Sequence, residues 1–227
     1  MEQLRGKSIM NFMNNNDSFR VLRIALEFAK GFRELSHIGR RAVTVFGSAR
    51  THPDDPNYKT AVEVGRFLAQ NGYAVITGGG SGIMEATNKG AASAGGISIG
   101  LNIDIPNEQI PNRYINKLLN FRYFFSRKVM LIRYSRAFIA LPGGFGTLDE
   151  CLELLTLIQT EKIKKFPVIL INSTYWSGFL EWIHDTVLKA GNINAEDLNL
   201  ITVVDTAEEA INVIHKFYAP VVTSIPG

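Results

Sequence analysis

Apolar residues fall along this chain in short unbroken blocks that alternate with longer stretches of helical spacing. Phe19, Leu22, Leu26 and Ala29 recur at three- and four-residue intervals, predicting a helix over 18–35 with Asp17 or Ser18 as its cap. A polar stretch over 11–16 precedes it. The block 42–46 reads as a strand, then a polar loop over 51–57 leads to a helix over 58–71. Further strands are predicted at 73–77, 97–101, 137–141, 167–171 and 200–204, six in all. Helices are predicted from the turn at 78–82 to 94, then over 123–135, 152–160, 175–189 and 207–217. A loop with Pro106 and Pro111 and a short segment over 114–120 fill the remaining gap. Strand and helix alternate almost throughout, and the strands are apolar on both sides rather than every second residue. That pattern predicts a single-domain α/β fold, a doubly wound parallel sheet with helices on both faces. The division expected is a helical extension over 1–41 and the sheet domain over 42–220.

Two of the strand-to-helix junctions are rich in glycine. Pro142-Gly143-Gly144-Phe145-Gly146-Thr147-Leu148-Asp149-Glu150 follows the apolar block 137–141 and opens a helix. A helix N-terminus exposes N–H groups that its own backbone cannot satisfy, and its dipole favours negative charge. Glycines let such a loop approach a ligand without Cβ interference. Thr147 adds a hydroxyl, and Glu150 a carboxylate that would repel a phosphate beside it, so its presence there suggests chemistry. Thr147 and Glu150 also have the spacing of a capping box, a purely structural role. The second junction, Gly78-Gly79-Gly80-Ser81-Gly82, follows 73–77 and matches neither the dinucleotide fingerprint nor a Walker sequence. In a parallel sheet both turns lie at the carboxyl edge of the strands, where open α/β folds bind ligands.

Length and composition narrow the class. With 227 residues, 46% of them hydrophobic, the chain suffices for one well-buried domain. A net charge of +3 does not demand nucleic acid or a membrane as partner. The single cysteine, Cys151, allows no internal disulfide and no multi-cysteine metal site, and is expected in the core. His37, His52, His184 and His215 lack metal-ligand spacing, so no metal is expected. Without a signal-like start or a membrane-length apolar run, a cytoplasmic location is expected. Between Glu108 and Asp149 there is no acidic residue, yet Arg113, Lys117, Arg122, Arg127, Lys128, Arg133 and Arg136 fall there. One or two of these are expected to point into the site, toward an anion. Tyr123, Phe124 and Phe125, and likewise Trp176 and Trp182, are expected to pack into the core.

Phosphate-binding turns beside a carboxylate suit N-glycosidic cleavage of a nucleotide. The phosphate docks on the loops, while a carboxylate stabilises an oxocarbenium-like ribose and orients water. Arg127 and Lys128 are the local cations that could balance charge.

These residues resemble the Lonely Guy (LOG) family of cytokinin riboside 5′-monophosphate phosphoribohydrolases, long described as possible lysine decarboxylases. The likeness rests on Pro142-Gly-Gly-Phe-Gly-Thr-Leu-Asp-Glu150, Gly78-Gly-Gly-Ser-Gly-Ile-Met84 and the Arg127-Lys128 pair, and covers 43–218. Ser98-Ile-Gly-Leu-Asn102, Glu108-Gln109, Tyr123-Phe-Phe125 and Leu157-Ile-Gln-Thr160 look closest to the longer bacterial type. The resemblance implies a Rossmann-like nucleotide-binding catalytic domain with no cofactor. It implies hydrolysis of AMP, or an N6-substituted adenosine monophosphate, to free base and ribose 5-phosphate. Its catalytic arginine falls on Arg127 and its catalytic glutamate on Glu150. Substrate binding is implied at Ser48, Gly78, Gly79, Gly80, Ser81, Gly82, Met84, Lys128, Gly143, Gly144, Gly146 and Thr147. Family members form homodimers or larger homo-oligomers. Ser81, Glu85 and Ser126 depart from the residues common in the family, which bears on base preference. The first half is also similar to Rossmann-like DNA-processing and molybdenum-cofactor carrier proteins, which leaves single-stranded DNA or pterin binding as the alternative. Lysine decarboxylation would require a Ser-x-His-Lys lysine, and Val213 stands in the serine position of Val213-Ile-His215-Lys216.

Overall fold

In the computed structural model, which describes residues 17–38, 41–104 and 110–219, the apolar blocks assemble into one sheet of seven strands. These are β1 (Ala42–Phe46), β2 (Ala74–Thr77), β3 (Ser98–Ile103), β4 (Lys117–Phe121), β5 (Ser135–Ala140), β6 (Val168–Ile171) and β7 (Ile201–Val204). All pair in parallel, in the spatial order β4-β3-β2-β1-β5-β6-β7. The helices are α1 (Asp17–Leu35), α2 (Pro56–Gln70), α3 (Ile83–Ser93), α4 (Phe124–Arg133), α5 (Phe145–Gln159), α6 (Ser173–Trp182) and α7 (Ala207–Tyr218).

Successive strand residues face opposite layers, so each central strand feeds two cores. Val43, Val45, Val75, Ile139 and Ile169 meet α2, α3 and α7 through Leu68, Ile83 and Ile211. Phe46, Ile76, Ile99, Phe138 and Leu170 meet α4, α5 and α6 through Met130, Leu154 and Trp176, with Leu35 of α1 in the same cluster. Each fully buried side chain of this size contributes about 1.5–3 kcal/mol. Local chemistry sets the helix starts. The Asp55 carboxylate accepts from Asn57 N–H at 2.7 Å just ahead of Pro56, and Thr206 with Glu209 forms a capping box on α7.

The doubly wound sheet expected from the pattern is present, with three local differences. The segment expected only as a short piece contains a seventh strand, β4, which pairs with β3 from Ile99↔Lys117 to Ile103↔Phe121. It is an edge strand whose buried Leu119 and Phe121 alternate with exposed positions, so it carries no apolar block. The helix expected over 175–189 is α only to Trp182 and continues as a π-type turn over Ile183–Leu188. Trp182 is exposed rather than packed on the sheet. Residues 11–16 and Glu108-Gln109 lie outside the described residues. Among the described residues no helix is long and apolar enough to cross a membrane.

The chain moves outward from β1 to β4 and then returns to the other side of β1 at β5. Connections therefore diverge between β1 and β5, leaving a crevice at the carboxyl ends of these strands.

Candidate active site

Three loops meet in that crevice. The Ser48 backbone, just beyond β1, ties them together. Its N–H donates to the Pro142 carbonyl and its carbonyl accepts from Ile83 N–H, each at 3.0 Å. Ser48 Oγ accepts from Arg50 N–H at 3.0 Å, and Ser81 Oγ donates to the Ala49 carbonyl at 2.8 Å. Two glycines are required by this closeness. Gly82 has φ +63° and a Cβ there would stand 2.3 Å from the Ser48 carbonyl oxygen. A Cβ on Gly143 would stand 2.1 Å from Thr147 Oγ1 and 3.0 Å from Ser48 N.

The turn after β2 is held by a buried polar network. Thr77 Oγ1 accepts from Gly79 N–H at 3.0 Å and donates to Asn88 Oδ1 at 2.7 Å. Asn88 Nδ2 donates to Ser98 Oγ at 2.8 Å, and Asn112 Nδ2 donates to the Gly80 carbonyl at 2.9 Å and to Asn88 Oδ1 at 3.0 Å. At the turn after β5, α5 begins at Phe145 with Gly144 as its N-cap and no capping side chain. The capping box suggested by Thr147 and Glu150 is therefore absent. The helix starts two residues before Thr147 and places Glu150 in its second turn, too deep to reach back to the N-cap. Helix geometry leaves the N–H groups of Phe145 and Gly146 without an intrahelical acceptor. Gly144, Phe145 and Gly146 are all exposed.

Glu150 meets Arg127 of α4 at 3.0 Å. Both are buried, at 2% and 9% exposure, so this is a desolvated ion pair beside open loops. Burial pushes the Glu150 carboxyl up to about 7, against the downward pull of Arg127 and Lys128. Arg127 Nε is buried and makes no hydrogen bond, and the guanidinium lies 5.3 Å from the centre of the Phe124 ring. A Cβ on Gly78 would stand 2.9 Å from Met84 Sδ and 3.6 Å from Arg127 Nη1, which places the first glycine turn against the pair. A carboxyl near neutrality beside a cation can carry charge or a proton at physiological pH.

The structure thus brings together Ser48, Gly78, Gly82, Met84, Arg127, Gly143, Thr147 and Glu150. Gly79, Gly80, Ser81, Gly144 and Gly146 lie on the same two turns. Lys128 turns elsewhere, 2.7 Å from both Asp149 and Glu153. Burial works against its charge, but these hydrogen bonds more than offset that and hold its pKa above the usual lysine value. Of the other cations in the basic block, Lys117 pairs with Glu34, Arg133 lies over Phe32 and Arg136 over Tyr218. Phe124 and Phe125 are about half exposed, not core, because α4 turns that face away from the sheet. Cys151 is buried as expected, its thiol pushed up to about 12 by burial. Among the described residues no group of three or more His, Cys, Asp or Glu stands close enough to hold a metal ion.

Sequence reading missed Thr77, Asn88 and Asn112, and also Tyr175, whose hydroxyl donates to the Gly143 carbonyl at 2.6 Å. Asn88 left one trace, a polar residue on the apolar face of its helix.

Fold and site together define a Rossmann-like α/β protein with a glycine-lined crevice holding a buried arginine–glutamate pair. A protein-family model described as Possible lysine decarboxylase matches residues 84–214. The chain is 32% identical over 185 residues to the cytokinin riboside 5′-monophosphate phosphoribohydrolase LOG of Oryza sativa subsp. japonica, covering 78% of this chain and 74% of that protein. The probable phosphoribohydrolase LOGL5 of the same rice is 31% identical over 186 residues, covering 79% and 74%. The molybdenum cofactor binding protein of Rippkaea orientalis shares the fold, with a TM-score of 0.55 and 24% identity over 78% of this chain and 94% of its own. The chain belongs to the Lonely Guy family, whose named members are phosphoribohydrolases.

Proposed function

We propose that this protein is an AMP nucleosidase-type phosphoribohydrolase that hydrolyses the N-glycosidic bond of a purine riboside 5′-monophosphate, AMP or an N6-substituted relative. The observation that carries this reading is the buried Arg127–Glu150 pair at 3.0 Å, set against two glycine turns. In this reading the 5′-phosphate docks on the turns of Gly78–Gly82 and Gly143–Thr147, where backbone N–H groups and the hydroxyls of Ser48 and Thr147 supply donors, while the Ser81 hydroxyl braces the turn through Ala49. The bond from C1′ to the base nitrogen breaks, its electron pair leaves with the base, and the ribose gathers positive charge. The Glu150 carboxylate stabilises that charge and takes a proton from the attacking water, whose oxygen bonds to C1′, and the departing base nitrogen takes up a proton in turn. Arg127 favours the ionised form of Glu150 against the larger effect of burial, and offsets the charge of the leaving base. Because burial sets the Glu150 carboxyl near 7, the rate rises with pH through the neutral range as the carboxylate forms.

The same reading places the enzyme in the cytoplasm as a homodimer or larger homo-oligomer. Exposed Phe124, Phe125, Val129 and Leu152 on α4 and α5 offer an apolar face for a second copy. A second reading, binding of single-stranded DNA or a pterin without hydrolysis, draws on the exposed Phe124 and Phe125 as stacking surfaces. It gives Glu150 no task, since a carboxylate beside the turns weakens the hold on an anion.

Free base released from AMP and from N6-isopentenyl AMP, measured by chromatography, decides between them. Wild type should release base, Glu150→Ala about a thousandfold more slowly and Arg127→Ala about a hundredfold more slowly. No base from either nucleotide would remove hydrolysis and turn attention to DNA and pterin binding.

A further inference from the structure

Helix α1 lies along α4, the helix that carries Arg127, and one of its side chains does more than pack. The Glu27 carboxylate accepts from the Arg122 backbone N–H at 2.7 Å and from the Ser126 hydroxyl at 2.5 Å. These contacts bracket the first turn of α4. The N-cap of that helix, Tyr123, supplies no capping side chain. A carboxylate from 95 to 99 residues earlier in the chain ties this end down instead, through the backbone just before the N-cap and the Ser126 side chain, at the positive end of the helix dipole. Ser126 is fully buried and immediately precedes Arg127.

The register of α1 on α4 is set along its length. A Cβ on Gly31 would stand 2.8 Å from Met130 Sδ, so any larger residue would require Met130 to shift. Tyr134 Oη donates to the Phe32 carbonyl at 3.3 Å, and Arg133 lies over the Phe32 ring. Lys117 of β4 reaches Glu34 through both its carboxylate and its carbonyl. Those contacts hold the helix in place; the Glu27 carboxylate acts on the turn that aims Arg127.

We infer that Glu27 is a positioning residue, reaching from the amino-terminal helix to fix the first turn of α4 so that Arg127 meets Glu150. The inference rests on the catalytic reading of that pair given above. Arg127 makes its hydrogen bond to Glu150 while its Nε has no partner, so few other contacts steer the guanidinium. Rotation of the first turn would carry it off the carboxylate.

The test compares Glu27→Ala, Glu27→Gln and Ser126→Ala with Glu34→Ala, a control on the same helix, all in the full-length protein. For AMP hydrolysis Glu27→Ala should lower kcat about tenfold and leave KM within about twofold. The acid limb of its pH profile should move upward by about one unit, because Glu150 loses the cation that favours its charge. Lys128, Asp149 and Glu153, the other charged groups acting on Glu150, are untouched. Glu27→Gln keeps an acceptor and should recover most of the rate, and Glu34→Ala should match wild type. Urea unfolding across the same pH range reads the Glu150 titration without any turnover, and its midpoint should shift upward in Glu27→Ala too. That second readout separates this inference from the assigned reaction. Wild type that releases no base would overturn the reaction, while the titration would still decide the role of Glu27. A folded Glu27→Ala with wild-type kcat and an unshifted Glu150 titration would overturn the positioning role, whatever stability it lost. If Glu27→Ala does not fold, Ser126→Ala decides by the same two measurements.

Discussion

The two glycine turns look alike in sequence and are built in opposite ways. The turn after β2 is buried at Gly78, Gly79 and Gly80, and side chains from three other segments brace it. Its polar groups are neutral, and each hydroxyl and amide in the network has found a partner. The turn after β5 is open, with Phe145 91% exposed, and its braces are the Ser48–Pro142 backbone bond and the Tyr175 hydroxyl. The helix that it opens carries a buried carboxylate against a buried arginine. Satisfied neutral groups under the first turn stabilise the fold, whereas the ionised group under the second costs stability that the fold supplies. Shape at the first turn is fixed by side chains; beside the second, burial moves the titration of a carboxyl toward neutrality.

The largest effect expected from this contrast is on the first turn. Asn88→Ala leaves buried Thr77 and Ser98 and half-buried Asn112 each one hydrogen bond short, all three bonds made by one amide. Unsatisfied buried groups cost about 1–3 kcal/mol each, so the loss should reach about 3–5 kcal/mol after partial relaxation. Urea unfolding measures it directly. A loss near that of an ordinary surface substitution would mean that the backbone alone holds the first turn, and the contrast would collapse.

The second turn should respond with the opposite sign. Glu150 has its carboxyl raised from 4.5 to about 7 by burial. Below 4.5 the group is protonated in both folded and unfolded chains and contributes nothing to the pH dependence. Between 4.5 and about 7 the folded chain keeps a proton that the unfolded chain releases, so stability falls as pH rises. Above that window both states are ionised and the penalty is complete, at about 3 kcal/mol. Glu150→Gln cannot titrate. Its stability relative to wild type should therefore increase by about that amount from mildly acid to mildly alkaline pH, while hydrolysis is lost. A difference that stays flat with pH would show that Arg127 holds the carboxylate ionised throughout, and that the second turn carries no such cost.

Much of this arrangement was legible before any coordinates. The alternation of apolar blocks and helical stretches sufficed for the doubly wound sheet, because central strands buried on both faces leave that signature. The glycine turns and Glu150 were legible because a helix start permits few spellings. The bracing could not be read. Asn88, Asn112 and Tyr175 reach the turns from 11 to 32 residues away, and a hydrogen bond across that span leaves no periodic mark. β4 escaped because an edge strand buries only alternate residues, and Phe124 and Phe125 were misjudged because helical spacing does not say which face looks outward. Lys128 adjoined Arg127 in every pattern, yet successive residues on a helix diverge by about 100°, and it ends on Asp149 and Glu153 instead.

The smallest effect should come from Tyr175→Phe, and it tests whether the open turn needs a brace at all. The ring stays packed edge-on against Trp176 at 5.0 Å, so only the 2.6 Å hydrogen bond to the Gly143 carbonyl is removed. Tyr175 is itself about half exposed, and water can take over as donor to the carbonyl, which limits the stability loss to under about 1 kcal/mol. Binding should feel the change more than folding does. Gly143 sits between Ser48 and Thr147, and a looser carbonyl there lets the N–H groups beyond it drift from the phosphate position. The expected result is a KM for AMP raised about three- to tenfold with kcat nearly unchanged, because Arg127 and Glu150 keep their geometry. A fall in kcat with KM constant would mean that the Tyr175 bond aims Glu150 through the start of α5, and the second turn would then be braced for chemistry as firmly as the first is braced for shape.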